Sequence, residues 1–286
     1  MPYLLALASA LLYGAADFTG GLASRRAGTL PVIVLSQFSG LVLLAGLLPF
    51  LPASSPSRAD LLWGVFAGFT GGVGVALLYR ALAIGRMAVV APTTAVCAVA
   101  VPVLISVALG ERPRSLAVLG IVLGLGAIVL VSQQRGAEAP PADRAGGGLP
   151  AGVGIALVSG VAIGLFLLAL AQTRAEAGMW PILASRATSV TLFALAAASA
   201  RRSLRMPGTL ALTLLCGVLD MSANALYLLA ARTGPLSVVV TLSSLYPAST
   251  VLLARVVLGE RLSGLQLVGV GCALGAIVLI VSGGGM

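Results

Sequence analysis

The sequence predicts an all-α integral membrane protein with ten transmembrane helices, built as two inverted five-helix repeats. Three observations carry this. The chain is written twice at an offset of 149: Gly110-Glu111-Arg112 recurs as Gly259-Glu260-Arg261, and Leu125 to Leu130 recurs as Leu274 to Leu279. Hydrophobic residues make up 59% of the chain and charged residues 9%, too little polar surface for a water-soluble domain of this size. Ten windows have the roughly 20 apolar residues a helix needs to cross the hydrocarbon core. Five spans per copy is an odd number, so the second copy enters the membrane from the opposite face, a common plan for transporters.

The windows are 3–23, 31–51, 60–83, 87–109 and 115–133, then 150–172, 179–199, 208–230, 235–257 and 263–282. Residues 1–133 read as the first repeat, 134–149 as a linker and 150–286 as the second repeat. The linker has Pro140, Pro141 and a triple glycine and is the only long polar stretch. Span 1 is too long for a cleavable signal, and Arg25 and Arg26 follow it rather than precede it. Small residues recur at helical spacing: Gly64, Gly68 and Gly72; Gly152, Ala156, Gly160 and Gly164; Gly120 and Gly124; Gly271 and Gly275. Such stripes let helix backbones approach closely in lipid.

The net charge of +9 comes with seventeen basic residues, all arginine, most of them scattered singly or in pairs between spans. A nucleic-acid surface would cluster them with aromatics, so no nucleic-acid partner is expected. Assigned to sides, the arginines favour the face opposite the termini, which places the termini outside the cytoplasm by the positive-inside rule. Cys97, Cys216 and Cys272 all fall within spans, and there is no histidine. Neither a disulfide framework nor a metal site is expected, and no cofactor. No phosphate-binding loop for ATP is present, and no nucleophile–base pair suggests an enzyme.

Ionisable groups inside a bilayer are costly and usually face a cavity or a partner. Asp17, Arg186 and Asp220 lie well inside spans, whereas Arg80 and Arg255 lie near span ends and are expected to snorkel. Asp220, Asn224 and Tyr227 share one face of span 8, suited to a polar solute or to an interhelical hydrogen-bond network. Arg186, flanked by Ser185 and Ser189, must pair with a carboxylate or hold an anionic group. Two acids then face one arginine, and the acid in excess suits proton coupling or a cationic solute. Asp17, with Tyr13 a turn before it and Gly20 and Gly21 after it, is the candidate for proton coupling, because an apolar pocket favours the protonated carboxyl. Capping of local backbone is the other reading.

Pro92 and Pro102 in span 4 and Pro247 in span 9 are expected to interrupt their helices and free carbonyls beside a cavity. Thr93, Thr94, Ser243, Ser244 and Tyr246 stand next to them, and Gln37 in span 2 adds an amide. These are further candidate substrate-binding residues, although Ser and Thr often bond their own helix backbone. Glu111 and Glu260, in matching turns, suit a helix N-terminus or an ion pair.

The plan resembles EamA-type members of the drug/metabolite transporter superfamily. The resemblance rests on Tyr227-Leu-Leu-Ala-Ala, Pro235 through Ser244, Tyr246-Pro247 and Leu258-Gly259-Glu260-Arg261, with Tyr13-Gly14, Asp17-Phe18, Tyr79-Arg80-Ala81-Leu82 and Ala91-Pro92 in the first half. The family often has Trp where Tyr13 stands, and Ala98 occupies the place of Pro247. The resemblance implies export or exchange of a small-molecule substrate across the inner membrane, and cytoplasmic termini, against the arginine count. Its expected partners are the solute and the lipid bilayer, and both a monomer and a homodimer fit. Proton antiport is the expected mode, with facilitated exchange and a lipid-handling or accessory role as rivals.

Overall fold

The computed structural model describes residues 1–108, 110, 114–132, 150–234, 239 and 242–283. Glu111, the linker 134–149 and most of the stretch 235–241 lie outside the described residues. Ten α-helices are described: α1 Pro2–Ala27, α2 Thr29–Leu47, α3 Arg58–Ile84, α4 Met87–Ala108, α5 Ser115–Ser132, α6 Val153–Ala171, α7 Trp180–Ser199, α8 Leu210–Thr233, α9 Tyr246–Leu258 and α10 Gly264–Gly283. Eight are long and apolar enough to cross a membrane, while Ser115–Leu130 and Tyr246–Leu258 are shorter apolar helices. Leucine, valine and phenylalanine side chains stay exposed along the outer faces, as they do where lipid is the solvent.

The prolines correct one expectation. α4 runs unbroken through Pro92 and Pro102. It packs tightly on α6, whose Gly160 and Gly164 lie directly against Cys97 and Val101. Pro247 sits in the first turn of α9, where a missing N–H costs nothing. The break in span 9 therefore falls before Pro247, at the turn of Ser244 and Leu245.

The two repeats interlock rather than sitting side by side. α1 packs on α8 and α9 of the second repeat, and α6 packs on α3 and α4 of the first. Hydrogen bonds stitch these pairs. Ser9 donates to the carbonyl of Ala223 at 2.8 Å and Thr250 to that of Gly14 at 3.2 Å, while Ser159 donates to Gly74 at 2.7 Å. Ala223 and Gly74 are counterparts at the repeat offset of 149. A side chain at Gly68 would collide with the carbonyl of Ser185, and one at Gly217 with that of Ser36. All four residues pair off at the same offset, so α3–α7 and α8–α2 are one contact made twice. Gly271 and Gly275, by contrast, make no close approach, and that stripe is not a packing seam.

The linker-side ends, where α5 finishes and α6 begins, are tied together by polar contacts. Arg25 donates to the carbonyls of Leu82 at 3.1 Å and Gly85 at 2.9 Å and pairs with Glu260 at 3.5 Å. The Glu260 carboxylate accepts the backbone N–H groups of Met87 at 3.1 Å and Ala88 at 3.0 Å, capping α4 of the other repeat. Arg86 reaches the carbonyl of Arg261. On the opposite side Asp60 closes a capping box with Ser57 and pairs with Arg174 at 2.9 Å. The two sides differ: α1 packs on α3 beneath the linker side, but no comparable packing joins their counterparts α6 and α8 among the described residues.

Candidate functional site

Six helices bring polar and aromatic side chains to the place where the repeats meet. α7 contributes Arg186, whose guanidinium is ion-paired with Asp220 of α8 and also donates to the side-chain oxygen of Gln37 on α2. Gln37 is buried, and its oxygen accepts a further bond from Ser189 at 3.3 Å. Arg186 and Gln37 are counterparts, 149 residues apart. A residue can touch its own counterpart only near the pseudo-twofold axis, so this contact marks the centre of the molecule.

Asp17 on α1 faces this centre. The charge of Asp220 acts on it, but no hydrogen bond or ion pair holds its carboxylate among the described residues. The single arginine of the cluster is taken by Asp220. The repeat offset makes the asymmetry plain: Asp17 and Asp220 correspond to Phe166 and Gly71, and Phe166 packs directly against Gly71. One half of the central region carries two acids where the other carries a phenyl ring on a glycine.

Tyrosines surround the acids. The rings of Tyr13 and Tyr246 lie 6.2 Å apart and tilted by 60°, bridging α1 and α9. Tyr227 packs against Ala6 and Ala230 on the termini side of Asp220. Tyr79 of α3 lies over Gly20, where any side chain would strike its ring, and its hydroxyl meets the Cys216 thiol at 3.0 Å. Cys216 in turn donates to the carbonyl of Ala16 at 3.3 Å.

Other sequence candidates are spent on backbone. Asn224 donates to the main-chain oxygen of Asp220 at 2.8 Å. Thr93 bonds Val89 at 2.8 Å and Thr94 bonds Ala156 at 3.3 Å, both buried in the α4–α6 packing. Ser243 donates to Ala6 at 3.4 Å, and Ser244 is half-buried in the turn before α9. Asp17, Gln37, Arg186, Asp220 and the tyrosines thus come together, whereas the hydroxyls beside the prolines serve helix packing. Tyr79 and Cys216 were not read as site residues. Extending the α8 stripe one step back from Asp220 reaches Cys216 and would have found it.

An inverted duplication that gathers charged and aromatic groups where its halves meet is the architecture of a membrane transporter. The sequence profile of the EamA-like transporter family matches residues 1–133 and again residues 150–282. The chain belongs to the EamA-like transporter family: it is a multi-pass membrane transporter of small solutes and not an enzyme. A solved crystal structure, 17% identical, superposes with a TM-score of 0.62 over 97% of this chain and 95% of its own length, a likeness of fold. No curated protein sequence matches the chain.

Proposed function

We propose that this protein is a secondary transporter that exports a small polar or amphipathic metabolite across the inner membrane by proton antiport, through alternating access. The observation that carries the reading is the unequal pairing of the central acids: Arg186 holds Asp220, and Asp17 has no cation partner among the described residues. A carboxylate in that position alternates between a protonated and an ionised state as solute leaves and returns. The solute's polar group competes with Asp220 for Arg186, and the tyrosines flank its less polar part.

The packing supports moving bodies that differ from the sequence halves. α1, α8 and α9 form one bundle and α3, α4 and α6 the other, each drawing helices from both repeats. Rocking of these bundles about the Arg186–Gln37 contact opens one side as the other closes. Closure by Arg25, Arg86 and Glu260 fits the end state shut toward the linker side.

The test is untargeted mass spectrometry of medium from cells expressing the wild type or Asp220→Asn. A compound enriched outside only with the wild type identifies the exported solute. Equal profiles count against export and favour facilitated exchange or an accessory role.

A further inference from the structure

Three hydroxyls in this fold are nearly sealed from solvent and have no partner. Thr213 is 0% exposed, and Ser24 and Thr209 are each 5% exposed, yet their oxygens make no hydrogen bond among the described residues. Thr29 at the start of α2 is a fourth unpartnered hydroxyl. Elsewhere in the molecule the usual solution is adopted: Thr19, Thr70, Thr93, Thr188 and Thr233 each bond the carbonyl four residues back. Leaving a buried hydroxyl unpaired is costly, and where protein supplies no partner, water does.

These hydroxyls are in line with the central acids. On α8, Thr209, Thr213, Cys216 and Asp220 follow at intervals of four, three and four residues, which keeps them on one helix face. On α1, Asp17, Gly20 and Ser24 do the same at three and four. α1 and α8 pack along their length, and Tyr79 of α3 bridges them by lying over Gly20 with its hydroxyl on the Cys216 thiol. The line therefore runs from Asp17 and Asp220, past Tyr79 and Cys216, to Thr213 and Ser24, and ends at Thr209 on the linker side.

We infer that a narrow hydrated passage between α1, α3 and α8 joins the buried acids to the linker-side surface, admitting water and small cations, the proton among them, where the solute is excluded. The inference deepens the proton-coupled reading and rests on it for its purpose, though not for its existence. Solute is barred on this side by the ring of Tyr79 and by the contacts of Arg25, Arg86 and Glu260. Along the passage each hydroxyl or thiol accepts one proton and releases another. One O–H bond forms at a carboxylate oxygen for each proton taken from the linker-side water, with no change of oxidation state. The titratable groups facing it are Asp17 and Arg25 on α1, Tyr79 on α3 and Cys216 and Asp220 on α8, with Arg186 of α7 at its inner end and Glu260 beyond its mouth.

The passage is tested with silver ion, which is small and hydrated and reacts with a thiol to give a silver thiolate and one released proton. Full-length protein carrying Cys97→Ala and Cys272→Ala keeps Cys216 as its single thiol. It is reconstituted in liposomes in chloride-free buffer, silver nitrate is applied from the linker side, and the unreacted thiol is counted by maleimide labelling after denaturation. The expected result is that linker-side silver blocks Cys216, and that Thr213→Leu slows the block at least tenfold. Thr209→Leu, nearer the surface, is the second variant should Thr213→Leu fail to give monodisperse protein. Silver that never reaches Cys216 from the linker side, or reaches it equally fast in both well-folded variants, overturns the passage. Proton coupling is judged separately by Asp17→Asn, so failure of one leaves the other standing.

Discussion

Arg186 is paired with Asp220, while Asp17 has no ion-pair partner among the described residues. On the proposed reading the two acids have different duties: Asp220 keeps Arg186 in place until solute arrives, and Asp17 is the acid that changes its protonation state.

Asp17→Asn is expected to abolish solute flux driven by a pH gradient while leaving solute exchange at equal pH within about twofold of wild type. Both rates are read in proteoliposomes with the solute identified from the medium. Normal gradient-driven flux in this variant would end the coupling role of Asp17.

Arg186→Leu leaves Asp220 as an unpaired acid in a mostly buried place, and breaking one side of such a pair costs about 3 kcal/mol or more. A lower thermal midpoint is expected, with the double variant Arg186→Leu/Asp220→Asn recovering most of it. Solute binding is expected to fall at least tenfold in both, and Arg186→Lys is not expected to rescue it, because one ammonium cannot span Gln37 and Asp220 as a guanidinium does. Calorimetry that finds wild-type affinity in the double variant would place the solute elsewhere.

Glu260→Ala removes the cap that α4 receives from the other repeat. Losing a cap worth about 1 kcal/mol shifts a two-state equilibrium roughly fivefold. The expected direction is away from linker-side closure. In a background free of other cysteines, Ala88→Cys should label with a bulky impermeant maleimide about five times faster when Glu260 is Ala. Equal labelling would mean that Glu260 does not help to close that side.

Gly217→Val and Gly68→Val put side chains into carbonyls of the facing helix, and backbone cannot yield there as a flexible side chain would. Neither variant is expected to give a monodisperse peak on size exclusion, whereas Gly271→Val, with open space around it, should behave as wild type.

The helices were legible because lipid demands long apolar runs, and the duplication because both copies kept a Gly-Glu-Arg turn. The face shared by Asp220, Asn224 and Tyr227 followed from helical period alone. What the period does not carry is which helices meet. The role of Glu260 at a helix N-terminus was readable, but its partner α4 lies in the other repeat, 172 and 173 residues away. Arg186 needed a carboxylate partner or an anionic group of the solute, and helical period does not choose between them; the structure pairs it with Asp220. Thr93 and Thr94 looked like cavity residues because prolines free carbonyls, and α6 packs too closely on α4 for that. Gln37 meets Arg186 because α2 and α7 flank the axis, which no local pattern announces.

That axis contact also constrains how such a protein can arise. Were the molecule assembled from two identical five-helix chains, the residue beside the axis would have to face a copy of itself. Two arginines there would repel, and two glutamines would leave the acids without a cation. Joining the copies into one gene lifts the requirement of likeness. One side can then become Gln37 and the other Arg186, and the centre acquires a polarity that two identical chains could not give it.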